Sequence, residues 1–235
     1  MIFRQLFEPE SSTYTYLLGC PETRAALLID PVIETAERDL CELRALGLEL
    51  AWTVDTHIHA DHVTAASRLR SLTGCRIAFP AGEDTSLADR HLSEVEPLEM
   101  GGIALRPLFT PGHTDNHHSY LVDQSAAARL FTGDALLIDG CGRTDFQGGC
   151  AATLYRSVHD KIFSLPCETL VYPAHDYQGR RVSSVGQERA RNPRLGGGRT
   201  IGEFVEIMAA LDLPYPKKID LAVPANRLCG ALPES

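Results

Sequence analysis

The chain has 235 residues, 44% hydrophobic and 23% charged, enough apolar material for one sizeable domain, and no apolar run nears the ~20 residues that span a bilayer. A net charge of −9 excludes nucleic acid as a default partner, because phosphate binding draws on clustered Lys and Arg. Seven scattered cysteines without a C-x-x-C pair fit reduced thiols, and residues 1–7 lack the pattern of a secretory or transit leader, so a cytoplasmic protein with no membrane partner is expected.

In chain order, Ile2–Phe7, Thr13–Leu18 and Arg24–Asp30 alternate as strands, separated by Pro9-Glu10-Ser11-Ser12 and Gly19-Cys20-Pro21. Thr35–Leu46 carries Ala36, Leu40, Leu43 and Leu46 on one helical side, with Gly47 as its stop. Strand Leu48–Val54 leads into Thr56-His57-Ile58-His59-Ala60-Asp61-His62, and a helix then runs to Leu72 and stops at Gly74. Strands follow at Arg76–Phe79, Ile103–Phe109, His118–Val122 and Arg129–Thr132, then a helix at Ala151–Phe163 and a strand at Thr169–Tyr172. Gly196-Gly197-Gly198 reads as a flexible connector. One further helix starts at the capping box Thr200-x-x-Glu203, with Ile201, Phe204, Val205, Met208 and Leu211 on one face. Strands first, then strands mixed with helices, predict an α/β (α+β) fold of two packed sheets flanked by helices. The expected organisation is a single domain over 1–235, its core at about 1–177 and a helical tail at 178–235 packing on it.

The chemistry concentrates after Val54. Extended backbone repeats its facing every two residues, so His57 and His59 point the same way, and a turn into a helix aims Asp61 and His62 elsewhere. Imidazoles plus a carboxylate suit zinc, iron or manganese. Asp61 alone could be a helix N-cap, but that leaves three histidines in six positions without a reason. Three later turns, each after an apolar strand, add His113 in Thr110-Pro111-Gly112-His113, Asp134 after Gly133, and His175 in Pro173-Ala174-His175. The set predicts a metal centre, whereas His91 and His159 read as ordinary hydrogen-bonded histidines. On the residues alone, a two-metal hydrolase with Asp134 bridging is as acceptable as a one-metal oxygenase. Residues 177–202 hold Arg180, Arg181, Arg189, Arg191, Arg194 and Arg199 against a single acid, Glu188; most of these read as a solvated helix face. Cys141 reads as a packed thiol sooner than a redox-sensitive one.

The ordered motifs T-H-I-H-A-D-H, P-G-H-T, G-D and P-A-H resemble the metallo-β-lactamase superfamily, which implies an αββα four-layer sandwich. Gly140-Cys141-Gly142-Arg143-Thr144-Asp145-Phe146-Gln147, Ala174-His175-Asp176-Tyr177, Asn192-Pro193-Arg194-Leu195 and Val223-Pro224-Ala225-Asn226 narrow the resemblance to the persulfide dioxygenases within it. That resemblance implies one Fe(II) per chain, ligated by His57, His113 and Asp134. His59, Asp61, His62 and His175 would then surround the metal and orient its ligands. The implied reaction oxidises the sulfane sulfur of glutathione persulfide with O2 to sulfite and glutathione, in a homodimer. Arg143 and Arg194 are the expected contacts to anionic substrate, beside Tyr177, and Tyr177 and His175 are the catalytic candidates. The alternative is a glyoxalase II-like hydrolase of glutathione thioesters with two metals; Thr144-Asp145-Phe146-Gln147 and the compact tail argue against it. A non-catalytic metal or persulfide sensor is a third reading, with no helix-turn-helix or basic extension to support it.

Overall fold

The alternating N-terminal run folds as its pattern predicts, into an antiparallel set β1 (Ile2–Glu8), β2 (Thr13–Gly19) and β3 (Ala25–Ile29). The computed structural model describes residues 1–83, 85–123 and 128–231. It divides into two units, Met1–Leu105 with Tyr215–Ser235, and Arg106–Pro214.

In the first unit, helix α1 (Ala36–Ala45) carries the chain from β3 to the parallel strand β4 (Glu49–Val54), and Gly47, at φ +58°, makes the stop. Helix α2 (Ala66–Thr73) does the same between β4 and β5 (Arg76–Pro80), ending at left-handed Gly74. Strand β6 (Arg90–Leu92) completes a six-stranded sheet in sequence order, and β7 (Leu98–Met100) pairs with the start of β8 (Ile103–Phe109). Every residue of β2 is buried, as suits an interior strand covered on both faces. Leu17, Leu28, Leu40, Leu43 and Leu69 pack in one cluster, which explains the helical spacing of the leucines in α1. The three-residue strands β6 and β7 went unpredicted because one or two apolar residues cannot show a period.

In the second unit β8, β9 (His118–Val122) and β10 (Arg129–Gly133) are antiparallel neighbours. Helix α3 (Ala151–Ser157), prolonged by a π-helical turn over Val158–Ile162, crosses over to β11 (Leu170–Pro173), which is parallel to β10. The two-residue strand β12 (Ser183–Ser184) edges this sheet, and Ser184 caps α4 (Val185–Arg191). Helix α5 (Ile201–Ala209) has the predicted capping box, with both reciprocal bonds formed. Leu130, Leu154, Val158, Val171, Phe204 and Met208 share one core.

The tail differs from expectation in three respects. It holds three helices where one was predicted: α4, α5 and α6 (Ile219–Arg227), the last clustered with the first unit. Helix α4 is too short and charged to show a period, and Pro224 inside α6 reads as a breaker. Val205 is exposed, so the buried stripe of α5 is narrower than its sequence pattern. Gly196 and Gly197 do not form a loose connector: their N–H groups donate to Asn192 and Arg189 carbonyls and close α4. No helix among the described residues is long and apolar enough to cross a membrane.

Candidate metal centre

In the first unit, the chain leaves the C-terminal end of β4 and bends through residues 55–64 without regular structure. The N-cap reading of Asp61 fails, since α2 starts at Ala66 with Ala65 before it and no side-chain cap. The His57 and His59 rings do come together, 4.1 Å between centroids, and His62 lies 4.3 Å from His59. Asp30, at the end of β3 in the left-handed region (φ 50°), organises them. Its carboxylate accepts the Thr56 N–H at 2.7 Å and the Thr56 hydroxyl at 3.0 Å, and pairs with His59 Nε2 at 3.0 Å. With the hydroxyl hydrogen directed to Asp30, His57 Nδ1–H donates to Thr56 Oγ1 at 2.9 Å and leaves Nε2 bare. Burial pulls the His59 imidazole down, but Asp30, then Asp61 and Asp55, outweigh it and raise His59 to about 9. Burial pushes the Asp55 carboxyl up to about 8, against the pull of His59. Asp61 pairs with His62 Nδ1 at 3.0 Å, and Thr13 donates to Asp61 at 3.3 Å. Metal-binding atoms of His59, Asp61 and His62 lie within 4.8 Å of one another. Asn226 on α6 locks the loop: Nδ2 donates to the carbonyls of His59 and His62, both at 2.9 Å, and Oδ1 accepts the Thr64 N–H.

The second unit holds a donor set of its own. Gly112 lies at φ +131° against the Leu154 backbone, a position no side chain could occupy, and this brings Pro111-Gly112-His113 onto α3. His113 Nδ1–H donates to the Arg143 carbonyl at 2.7 Å, so in the neutral ring Nε2 carries the lone pair. That nitrogen lies 3.4 Å from Asp134 Oδ2, and His175 Nε2 lies 3.6 Å from Asp134 Oδ1. A ring nitrogen and a carboxylate oxygen at this separation need a proton or a metal ion between them. Asp134 Oδ1 is buried without a hydrogen-bond partner among the described residues. The donor set fits a metal ion. His117, which the sequence reading passed over, is fully buried; Nε2 accepts the Asp134 N–H at 3.1 Å and Nδ1–H donates to Thr110 Oγ1 at 2.9 Å. Asp30, Asp55 and His117 lacked a sequence signal, because their partners are distant in the chain or belong to the backbone.

The candidate substrate residues also lie in the second unit. Arg143 pairs with Asp145 at 2.6 Å and donates to the Pro214 carbonyl at 2.8 Å. Arg194 donates through one nitrogen to the Cys141 carbonyl at 2.8 Å. Tyr177 is 77% exposed, its ring parallel to His175 at 6.2 Å. Arg180 pairs with both Asp176 and Asp139, so it is no free surface cation. Burial pushes the Cys141 thiol up to about 11, which suits a packed, protonated sulfur. His91 and His159 make ordinary hydrogen bonds, to Thr85 and to the Leu195 carbonyl.

The family model for the metallo-β-lactamase superfamily matches residues 9–175. The chain belongs to the metallo-β-lactamase superfamily and has its fold. It is 52% identical to the mouse protein "Persulfide dioxygenase ETHE1, mitochondrial", over 98% of this chain and 89% of the relative. The crystal structure of ETHE1 from Myxococcus xanthus superposes with a TM-score of 0.94 at 50% identity, covering 98% of this chain and 100% of that one. A hydroxyacylglutathione hydrolase of Rhodospirillum rubrum is 37% identical over 79% of this chain and 70% of its own length. Within the superfamily, the chain belongs to the persulfide dioxygenases.

Proposed function

We propose that this enzyme oxidises the sulfane sulfur of glutathione persulfide with O2 at one Fe(II) per chain. Membership of the persulfide dioxygenase family carries the reading, and the buried Asp134 Oδ1 without a hydrogen-bond partner among the described residues, beside His113, fits a metal. The reaction balances as GSSH + O2 + H2O giving GSH and sulfurous acid, released as sulfite and protons; the sulfane sulfur loses the four electrons that O2 gains. His57, His113 and Asp134 would hold the iron, which leaves coordination positions open for sulfur and dioxygen and supplies the redox chemistry O2 needs. Thr56 and the Arg143 carbonyl fix the two histidines with Nε2 bare.

The remaining side chains bind and move protons. Arg194 has further donors beyond the one bonded to Cys141, and with Arg143 it would pair with glutathione carboxylates. Tyr177 would donate to the persulfide, with His175 beside it exchanging the proton. His59, Asp61 and His62 act as orienting groups, His59 already engaged by Asp30 and Asp61 by His62. Seven free cysteines support a reducing cytoplasm as the setting. We take the assembly as a homodimer, which light scattering would read as twice the 25.7 kDa protomer.

The grouping of His59, Asp61 and His62 favours one second reading, a two-metal thioesterase. Protein stripped by a chelator and reloaded with Fe(II) or Zn(II) separates the two. Oxygen uptake and sulfite release with glutathione persulfide should return with iron alone, at one iron per chain. Full thioester hydrolysis with zinc and no oxygen consumption would overturn the proposal.

A further inference from the structure

Asp134 and His113 both lean on the loop 137–143. The Gly142 N–H donates to the Asp134 carbonyl at 2.7 Å, and the next carbonyl, of Arg143, receives His113 Nδ1–H at 2.7 Å. A Cβ on Gly142 would stand 2.7 Å from His113 Nδ1, so the loop lies in direct contact with the imidazole. What holds this loop comes from the tail. Asn192, 2% exposed, donates through Nδ2 to the Gly140 carbonyl at 3.1 Å and to Glu188 Oε2 at 2.8 Å. The same Glu188 oxygen accepts the N–H of Asp139, which sits in the left-handed region at φ 56°. Asn192 Oδ1 accepts the N–H groups of Arg194 and Leu195, at 3.0 and 3.1 Å, and so presents Arg194 to the Cys141 carbonyl.

We propose that Asn192 is a positioning residue: by fixing carbonyls 140 and 141 it holds the Arg143 carbonyl that keeps His113 in the tautomer with Nε2 bare. The inference rests on His113 being a metal ligand, as proposed above. The physical warrant is the buried amide: every polar atom of its side chain is spent on loop or tail backbone and on Glu188, none on solvent. A shift of a few tenths of an ångström at Arg143 would lengthen the bond that selects the tautomer. The imidazole could then protonate at Nε2, the atom a metal needs.

The test uses Asn192→Ala in histidine-labelled full-length protein, first without metal. Long-range proton–nitrogen spectra should show His113 as the Nδ1–H tautomer in the unaltered protein and as a tautomer mixture in the variant. Competition against a chromophoric chelator should show Co(II) and Zn(II) affinity lowered about tenfold to a hundredfold. A folded variant with unchanged circular dichroism, an unchanged tautomer and metal affinity within about twofold would overturn the inference. If Asn192→Ala does not fold, Arg194→Met carries the test: it removes the Cys141 contacts that Asn192 sets up, and because Arg194 is also a proposed substrate contact, only the metal-free tautomer and the metal affinity are read, with the same changes required of both. A protein that lacks sulfur dioxygenase activity but shows the tautomer change would sink the functional reading alone and still support the role of Asn192.

Discussion

His117 shows how little of a site needs to touch the metal. Its two ring nitrogens are both committed, one accepting the Asp134 N–H and the other donating to Thr110, whose hydroxyl also lies 2.9 Å from Ser119 Oγ. Removing the ring leaves a buried N–H without an acceptor, at a cost of about 1–3 kcal/mol, and frees the turn that carries the carboxylate. His117→Ala should therefore lower the urea midpoint of the metal-free protein and weaken Zn(II) binding by about tenfold or more. His117→Gln, whose carbonyl oxygen can accept the same N–H, should recover most of both. Equal losses in the two variants would show that packing, and not this hydrogen bond, is what the ring provides.

At the scale of elements, the ligand-bearing turns were legible and their supports were not. His113, Asp134 and His175 each follow an apolar strand, so the shift from hydrophobic run to turn marks them. Asp30 and Asp55 also end strands, but a lone aspartate there reads as a turn residue until its buried partners are seen. Helix α6 was hidden by Pro224, yet its Asn226 ties the His59 and His62 carbonyls and the Thr64 N–H together across more than 160 residues of sequence. No local pattern encodes a contact of that separation. Asn226→Ala should destabilise the protein by about 2–4 kcal/mol, with three buried bonds lost at roughly 1 kcal/mol each and their partners left unsatisfied. Asn226→Asp should be no better than Ala, because it keeps the acceptor for Thr64 while turning a second acceptor onto two carbonyls. Chemical denaturation of both variants checks this; an aspartate variant as stable as the unaltered protein would show that the His59 and His62 carbonyls do not need the amide.

For the whole molecule, pH acts on charge and on stability in opposite directions. The chain carries −9 at pH 7 and has a sequence pI near 5.4, so self-repulsion keeps molecules apart at neutral pH and fades on acidification. Solubility at low salt should therefore pass through a minimum near pH 5.4. Folding stability runs the other way through Asp39 on α1. Burial raises its carboxyl from 3.8 to about 6, although Arg38 pulls it down through one oxygen, and Oδ2 has no hydrogen-bond partner among the described residues. Between those two values the native state holds a proton that the unfolded chain has released. The contribution is full below pH 3.8 and is lost as pH rises through 6, an amount on the order of 3 kcal/mol. Asp39→Asn cannot ionise, so it should lessen the fall in stability between pH 4 and 6, leaving the share of buried Asp55, which is raised to about 8, and should keep the solubility minimum nearly in place. Urea titrations across that range, read beside turbidity, separate the two effects. A variant whose stability falls with pH as steeply as the parent would move the effect to another buried acid.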